Sequence, residues 1–128
     1  MSAYLLDTHA LLWFIDDNPK LSRTAKEILE SEGVELSVSI ASLWEISIKA
    51  NLGKLSLEGN LSRLEEDLQQ LDIALKPILI AELDAYLGLP LHHRDPFDRL
   101  LIAQAIAAGL PIISADEQFD AYEVARIW

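Results

Sequence analysis

The sequence contains no cysteine among its 128 residues. That excludes a disulfide framework and a thiolate metal site, and it fits a reducing compartment. No basic segment followed by a long apolar run stands at the N-terminus, so no signal peptide is expected. No apolar stretch reaches the roughly 20 residues of a membrane span. A cytoplasmic protein is the expectation. Positive charge is scarce too: 10 Lys and Arg stand against 21 Asp and Glu, a formal net charge of -11. This balance argues against simple electrostatic capture of a phosphate backbone, which needs basic residues. Internal repeats, low-complexity tracts and Gly/Ser linkers are also missing, and the length is that of one domain, residues 1–128.

What is present is apolar. The hydrophobic fraction is 51% and the mean hydropathy is +0.19. Soluble monomers rarely expose large apolar patches, so a partner is expected to cover part of this surface. The pattern alternates. Residues 3–6 (AYLL) read as a buried strand and residues 8–15 as a short helix broken by Asp16-Asp17-Asn18-Pro19. Ser22 caps a helix over 23–32, and "VELSVS" (34–39) is a second strand. Residues 40–52 form a helix that stops at Gly53; Asn60 or Ser62 opens another to about Leu71. Residues 72–78 are a third strand, 79–87 a helix, 96–108 a longer helix ending at Gly109, and 110–116 a fourth strand, with "EVARIW" available for a fifth. Strands alternating with helices imply parallel pairing through right-handed crossovers. The expected fold is a three-layer α/β/α sandwich with a central parallel sheet of four to five strands. In such sheets ligands bind at the carboxyl ends of the strands.

Several acids gather at that edge, and each has an ordinary reading. Asp7 closes the first strand and can cap the helix that begins at Thr8. Glu45 stands four residues before Lys49, the spacing of a surface ion pair, yet its neighbours Leu43, Trp44, Ile46 and Ile48 are apolar. Asp95 before Pro96 is a good helix start, with capping its expected job, and Asp98 then falls in the first turn, where an acid suits the helix dipole. Asp116 closes the fourth strand and can cap a final short turn. Together, Asp7, Glu45, Asp98 and Asp116 say more. Two carboxylates about 5 Å apart repel by ~3 kcal/mol at an effective dielectric of ~20. A cluster of them needs neutralising, and with no Cys and no His pair at ligand spacing the donors point to a hard cation, Mg2+ or Mn2+. Such ions also let an acidic protein hold a phosphodiester. His92 and His93 read as loop residues rather than ligands, and His9 as packing beside Trp13. Arg94 and Arg99 flank the acids, either paired with them or facing substrate phosphate.

"LLDTHALLW", "SIASLWEISIKANLGKL", "HRDPFDRLLIAQA" and "IISAD", in that order, resemble the PIN-domain nucleases, and closely the VapC-type toxins of toxin–antitoxin pairs. The resemblance spans the whole chain. It implies a metal-dependent endoribonuclease that hydrolyses RNA with water activated by Mg2+ or Mn2+ and leaves a 5′-phosphate. By motif match Asp7, Glu45 and Asp98 take the places of the core acids, Asp116 the fourth position, and Thr8 that of the hydroxyl residue after the first acid. Asp95 and Arg99 lie in the "DPFDR" string as secondary candidates. The resemblance further implies an antitoxin partner and a homodimer. The apolar helix "ALLWFI" (10–15), with Trp13 and Phe14 as anchors, is either the covered surface or an internal element. Two rivals remain: a receiver-like phosphate-handling α/β domain, for which the third strand "IALKPI" lacks the closing Asp, and a non-catalytic binding module whose acids are all caps and surface pairs.

Overall fold

The computed structural model describes residues 2–128. Five strands form one sheet: β1 (Ala3–Leu6), β2 (Glu35–Ser39), β3 (Ile73–Lys76), β4 (Ile112–Ile113) and β5 (Arg126–Ile127). Their order is β3-β2-β1-β4-β5 and all pairings are parallel. The helices are α1 (Thr8–Ile15), α2 (Arg23–Leu29), α3 (Ile40–Asn51), α4 (Leu61–Gln70), α5 (Ile80–Leu87) and α6 (Pro96–Ala108), and a short 3-10 turn covers Glu117–Ala121. The expected α/β/α sandwich with a parallel sheet is the observed architecture.

The layers follow from the period-2 alternation of a strand. Leu5 and Ile112 point into one core with Leu101, Ile102, Ala105 and Phe119, so α6 and the 3-10 turn cover that face. Their neighbours Leu6 and Ile113 point to the other, with Leu11, Ala25, Val38, Ile46 and Leu68, so α1 to α4 cover the opposite face. The chain builds β1, β2 and β3 outward in one direction, then returns to place β4 on the far side of β1. The strand order therefore reverses between β1 and β4, and a crevice opens above their carboxyl ends. Asp7 follows β1 directly and Ser114 follows β4.

Several ends differ from the sequence-based expectation. The strand read over 110–116 is regular only at Ile112–Ile113, since Pro111 has no N–H to give and the chain bends at Ala115. The strand read over 72–78 stops at Lys76, before Pro77. Helix α2 ends at Leu29 rather than residue 32. Helix α3 does begin at Ile40, with Ser39 as its cap accepting the Ala41 N–H at 3.1 Å. Gly109 closes α6 in the left-handed conformation (φ 66°), where a Cβ would be strained.

One buried polar knot ties α5 to β3 and α6. Glu82 accepts hydrogen bonds from the Leu79 N–H at 2.9 Å and Gln104 Nε2 at 3.1 Å, and pairs with Lys76 Nζ at 2.7 Å. Burial alone would raise its pKa; the Lys76 ammonium, the Leu79 N–H and the Gln104 amide outweigh burial and hold the carboxyl below its ordinary 4.5. Glu82→Gln is expected to cost about 2 kcal/mol at pH 7, the range for a bond to a charged group. The folded pKa is depressed, so the contribution is full above the unfolded value of 4.5 and is lost as pH falls through the folded one. Urea melts of both proteins should therefore converge below pH 4.5; a gap independent of pH would refute the charge-based account.

Candidate active site

Asp7 does two things. It is buried, and its Oδ1 accepts the Ala10 N–H at 2.7 Å, which caps α1. Its pKa is raised, first by burial and also by the charge of Asp116, while the Ser114 hydroxyl and the Ala10 N–H act to lower it. Ser114 Oγ itself accepts the Asp116 N–H at 3.0 Å, so one side chain links the ends of β1 and β4.

Glu45 comes from the middle of α3 and is buried with only 4% of its surface exposed. Oε1 accepts from Thr8 Oγ1 at 2.7 Å, and Thr8 shares a further bond of 2.9 Å with the Ser42 hydroxyl. Oε2 faces Lys49 Nζ at 2.8 Å. The Glu45–Lys49 pair thus exists, but at the sheet edge rather than as a solvated surface pair. Its hydrogen bond to Glu45, together with the charges of Glu45, Asp95 and Asp98, raises the Lys49 pKa against the opposing effect of burial.

Asp98 stands in the first turn of α6. Burial, then the charge of Asp95, pushes its pKa up to about 7, with Glu45 and Asp7 adding to the rise and His93 opposing it. Asp95 caps α6: its Oδ1 accepts the Phe97 and Asp98 N–H groups at 2.8 and 3.3 Å. Asp116 Oδ1 accepts the Gln118 N–H at 2.9 Å and so caps the 3-10 turn. The charges of Asp7, Glu45, Asp98 and Asp116 act on one another across this single edge.

Two residues are placed otherwise than the sequence suggested. Arg99 turns away from the acids: its guanidinium is buried, donates through Nη1 to the carbonyls of Pro90 and His93 at 3.0 and 3.3 Å, and lies 5.0 Å from the Tyr86 ring centre. It holds the loop before α6 and, among the described residues, bonds to carbonyls and the Tyr122 hydroxyl rather than to an acid. His93 is in a loop, as read, but its ring is buried between acids. Nε2 lies 2.8 Å from Asp116 Oδ2 and 3.2 Å from Asp98 Oδ2. Nothing local in "HHRD" distinguishes His93 from His92; the signal is a contact with a residue 23 positions on.

The oxygen-rich donor set and the elevated Asp98 pKa fit a hard divalent cation. A cation would offset both the burial and the neighbouring negative charge that raise the Asp98 pKa. His93 Nε2 and one oxygen each from Asp98 and Asp116 lie within 4.8 Å of one another.

Fold and site together define a class: an α/β domain whose all-parallel sheet gathers carboxylates at the strand-order reversal. Within it, the profile of the PIN domain matches residues 4–125, and the chain belongs to the PIN domain family. Its fold is similar to a chain of VapBC2 from Rickettsia felis bound to a promoter DNA fragment, with TM-score 0.71 and 18% identity over 98% of this chain and 97% of that one. It is similar also to a chain of DNA-bound VapBC from Salmonella typhimurium, at 0.68 and 20% over 100% and 98%. A third likeness is to FitAcB from Neisseria gonorrhoeae, at 0.64 and 20% over 98% and 96%. Comparison with curated protein sequences gives no match.

Without a cation, burial of Asp98 and the charge of Asp95 beside it oppose folding at any pH where that carboxyl is ionised. In EDTA at pH 8, Asp98→Asn is expected to raise stability by about 2 kcal/mol, read from thermal or urea melts. A loss of similar size would mean that Asp98 is well compensated.

Proposed function

We propose that this protein is a metal-dependent endoribonuclease and the VapC-type toxin of a toxin–antitoxin pair. The observation that carries the reading is the convergence of Asp7, Glu45, Asp98 and Asp116 at the sheet's switch point, with Asp98 forced up to about 7. Family membership and the VapBC likenesses support it. These four carboxylates would hold Mg2+ or Mn2+, which supplies activation of water and charge for the phosphate oxygens. Asp7 and Asp116 stay oriented because each spends its Oδ1 on a backbone N–H and leaves Oδ2 for other partners. Thr8 fixes the Glu45 carboxylate by its 2.7 Å bond. Lys49, partly exposed beside Glu45, is the one cationic side chain paired with these acids among the described residues, and it favours an approaching phosphodiester.

The receiver-like alternative loses its support. That fold follows the order 2-1-3-4-5, whereas this sheet runs β3-β2-β1-β4-β5. The third strand closes on Lys76 and Pro77, not on an acid. A binding module without catalysis predicts no specific Mn2+ site, and metal titration decides against one or the other.

Helix α1, read from the sequence as either a covered surface or an internal element, is partly each. In α1, Leu12, Trp13, Phe14 and Ile15 are half-buried against the core, and Trp13 packs on Trp128 and His9 at 5.8 and 5.7 Å. The α1 face borders a groove lined by Leu12, Ile15, Leu55, Leu57 and Leu64 and flanked by Asp16, Glu58 and Asp67. That chemistry suits an apolar antitoxin segment with basic flanks. More exposed is α5, where Ile80, Leu83 and Leu87 recur at helical spacing with 75%, 44% and 84% of their surface free. This apolar stripe, with the exposed Asp84 beside it, is our candidate homodimer face.

The purified protein should cleave single-stranded RNA in Mn2+ or Mg2+, leave 5′-phosphates and lose activity in EDTA, and Asp7→Asn should reduce the rate by about 100-fold or more, some 3 kcal/mol. Metal-free cleavage leaving 2′,3′-cyclic phosphate would refute the mechanism. Sedimentation equilibrium should show a dimer that Leu83→Lys with Leu87→Lys converts to monomer; an unchanged dimer would move the interface elsewhere.

A further inference from the structure

We propose that His93 is a positioning residue, a neutral imidazole that donates one proton to Asp98 and Asp116 together and so fixes the spacing of the two carboxylates for a shared cation. This role rests on the metal-nuclease reading above.

The tautomer follows from the far side of the ring. Nδ1 lies 3.1 Å from the backbone nitrogen of Asp95 and accepts its N–H. A backbone N–H can only donate, so Nδ1 must present its lone pair. The ring proton is then on Nε2, and Nε2 is the atom that faces Asp116 Oδ2 at 2.8 Å and Asp98 Oδ2 at 3.2 Å. Two carboxylate oxygens share one N–H donor. A neutral donor lowers their mutual repulsion without filling the place of a cation.

The same geometry argues against ligation by His93, although Nε2 is close enough to the carboxylates to be considered. Coordination through Nε2 would require removing the proton that both acids accept. Coordination through Nδ1 would break the bond to Asp95. Polar residues bound to a metal's ligands commonly set ligand orientation in this way.

The ring has little freedom to do anything else. It is buried and packs 5.7 Å from the Phe119 ring centre. The Tyr122 hydroxyl accepts the His92 and His93 N–H groups at 3.0 and 2.8 Å and donates to the Pro90 carbonyl at 2.8 Å. Arg99 donates to the His93 carbonyl at 3.3 Å. This explains why a buried arginine without an acidic partner stands one residue after Asp98: it pins the loop that aims the imidazole.

The test has two arms. Long-range 15N–1H spectra of the metal-free protein should show His93 protonated at Nε2 and bare at Nδ1; a proton on Nδ1 overturns the proposal. Calorimetric Mn2+ titration then compares wild type, His93→Gln and His93→Phe, each checked for folding by thermal melt. Gln keeps an N–H donor near the Nε2 position and should bind Mn2+ close to wild type. Phe keeps the ring packing, loses the donor, and should bind roughly 10–100-fold more weakly, with saturating Mn2+ restoring most of the cleavage rate. Equal loss in both variants means that His93 is a ligand and overturns the role. Unchanged Mn2+ affinity in His93→Phe, with lower stability alone, makes the residue merely structural and also overturns it. A wild type that binds no Mn2+ overturns the metal reading itself, while the spectra still report whether the donor geometry is right.

Discussion

Carboxylate repulsion is the constraint around which the rest of this structure is arranged. At about 5 Å and an effective dielectric of ~20, each pair of ionised carboxylates costs ~3 kcal/mol, a large fraction of the 5–15 kcal/mol by which a typical domain is stable. The chain answers with donors rather than with cationic residues. Backbone N–H groups at three helix starts, the Thr8 and Ser114 hydroxyls, the His93 ring and one ammonium, Lys49, are all turned towards the acids. Burial, then the charge of Asp95, still drives the Asp98 carboxyl up to about 7, and burial raises Asp7 as well.

Capping and the proposed ligation, which compete as readings of a sequence, are compatible in three dimensions. A carboxylate has two oxygens and about four acceptor sites. Asp7 and Asp116 each use Oδ1 on a backbone N–H two or three residues ahead. The cap sets the rotamer, and the rotamer aims the second oxygen. A parallel sheet produces such positions as a matter of course, because each strand end is followed by a turn of helix whose first N–H groups lack partners. Asp95 is the contrast: its Oδ1 holds two N–H groups of α6, and its charge acts mainly by raising its neighbour Asp98.

The alternation of strands and helices was legible because it is local. "AYLL" before a polar stop, Ser22, Asn60 and Asp95 as caps, and Gly109 as a terminator all act within a turn of their own position. The acids too could be picked out, since Glu45 is the one acid in an apolar helix and Asp7 interrupts an apolar run. His93 could not, because its meaning depends on how α6 and the end of β4 meet, and "HHRD" contains no trace of that. Arg99 misled for a related reason: an arginine among acids reads as an ion-pair partner, whereas its carbonyl acceptors carry no sequence signature. In α5 the apolar residues at helical spacing are not the buried side. The buried side instead takes Glu82, whose charge is matched by Lys76 from the end of β3, and the stripe is left outside.

That inversion bears on how a chain of net charge -11 can associate with itself. At physiological ionic strength the Debye length is about 8 Å, so charges on the far side of each molecule hardly feel one another. What opposes association is the charge within a few ångströms of the contact. The outward residues Ile80, Leu83 and Leu87 contribute none, and neighbouring Leu79 and Leu91 are also exposed. Desolvating such a surface gains roughly 25 cal/mol for each Å2 of apolar area buried. Glu82 lies on the opposite side of α5, buried and neutralised by Lys76, so it adds no charge to this face; the exposed acid beside the stripe is Asp84, one turn from both Ile80 and Leu87. The buried ion pair therefore holds the inner side of α5 to β3, and Asp84 is the charge that a contact through the outer side has to keep in water.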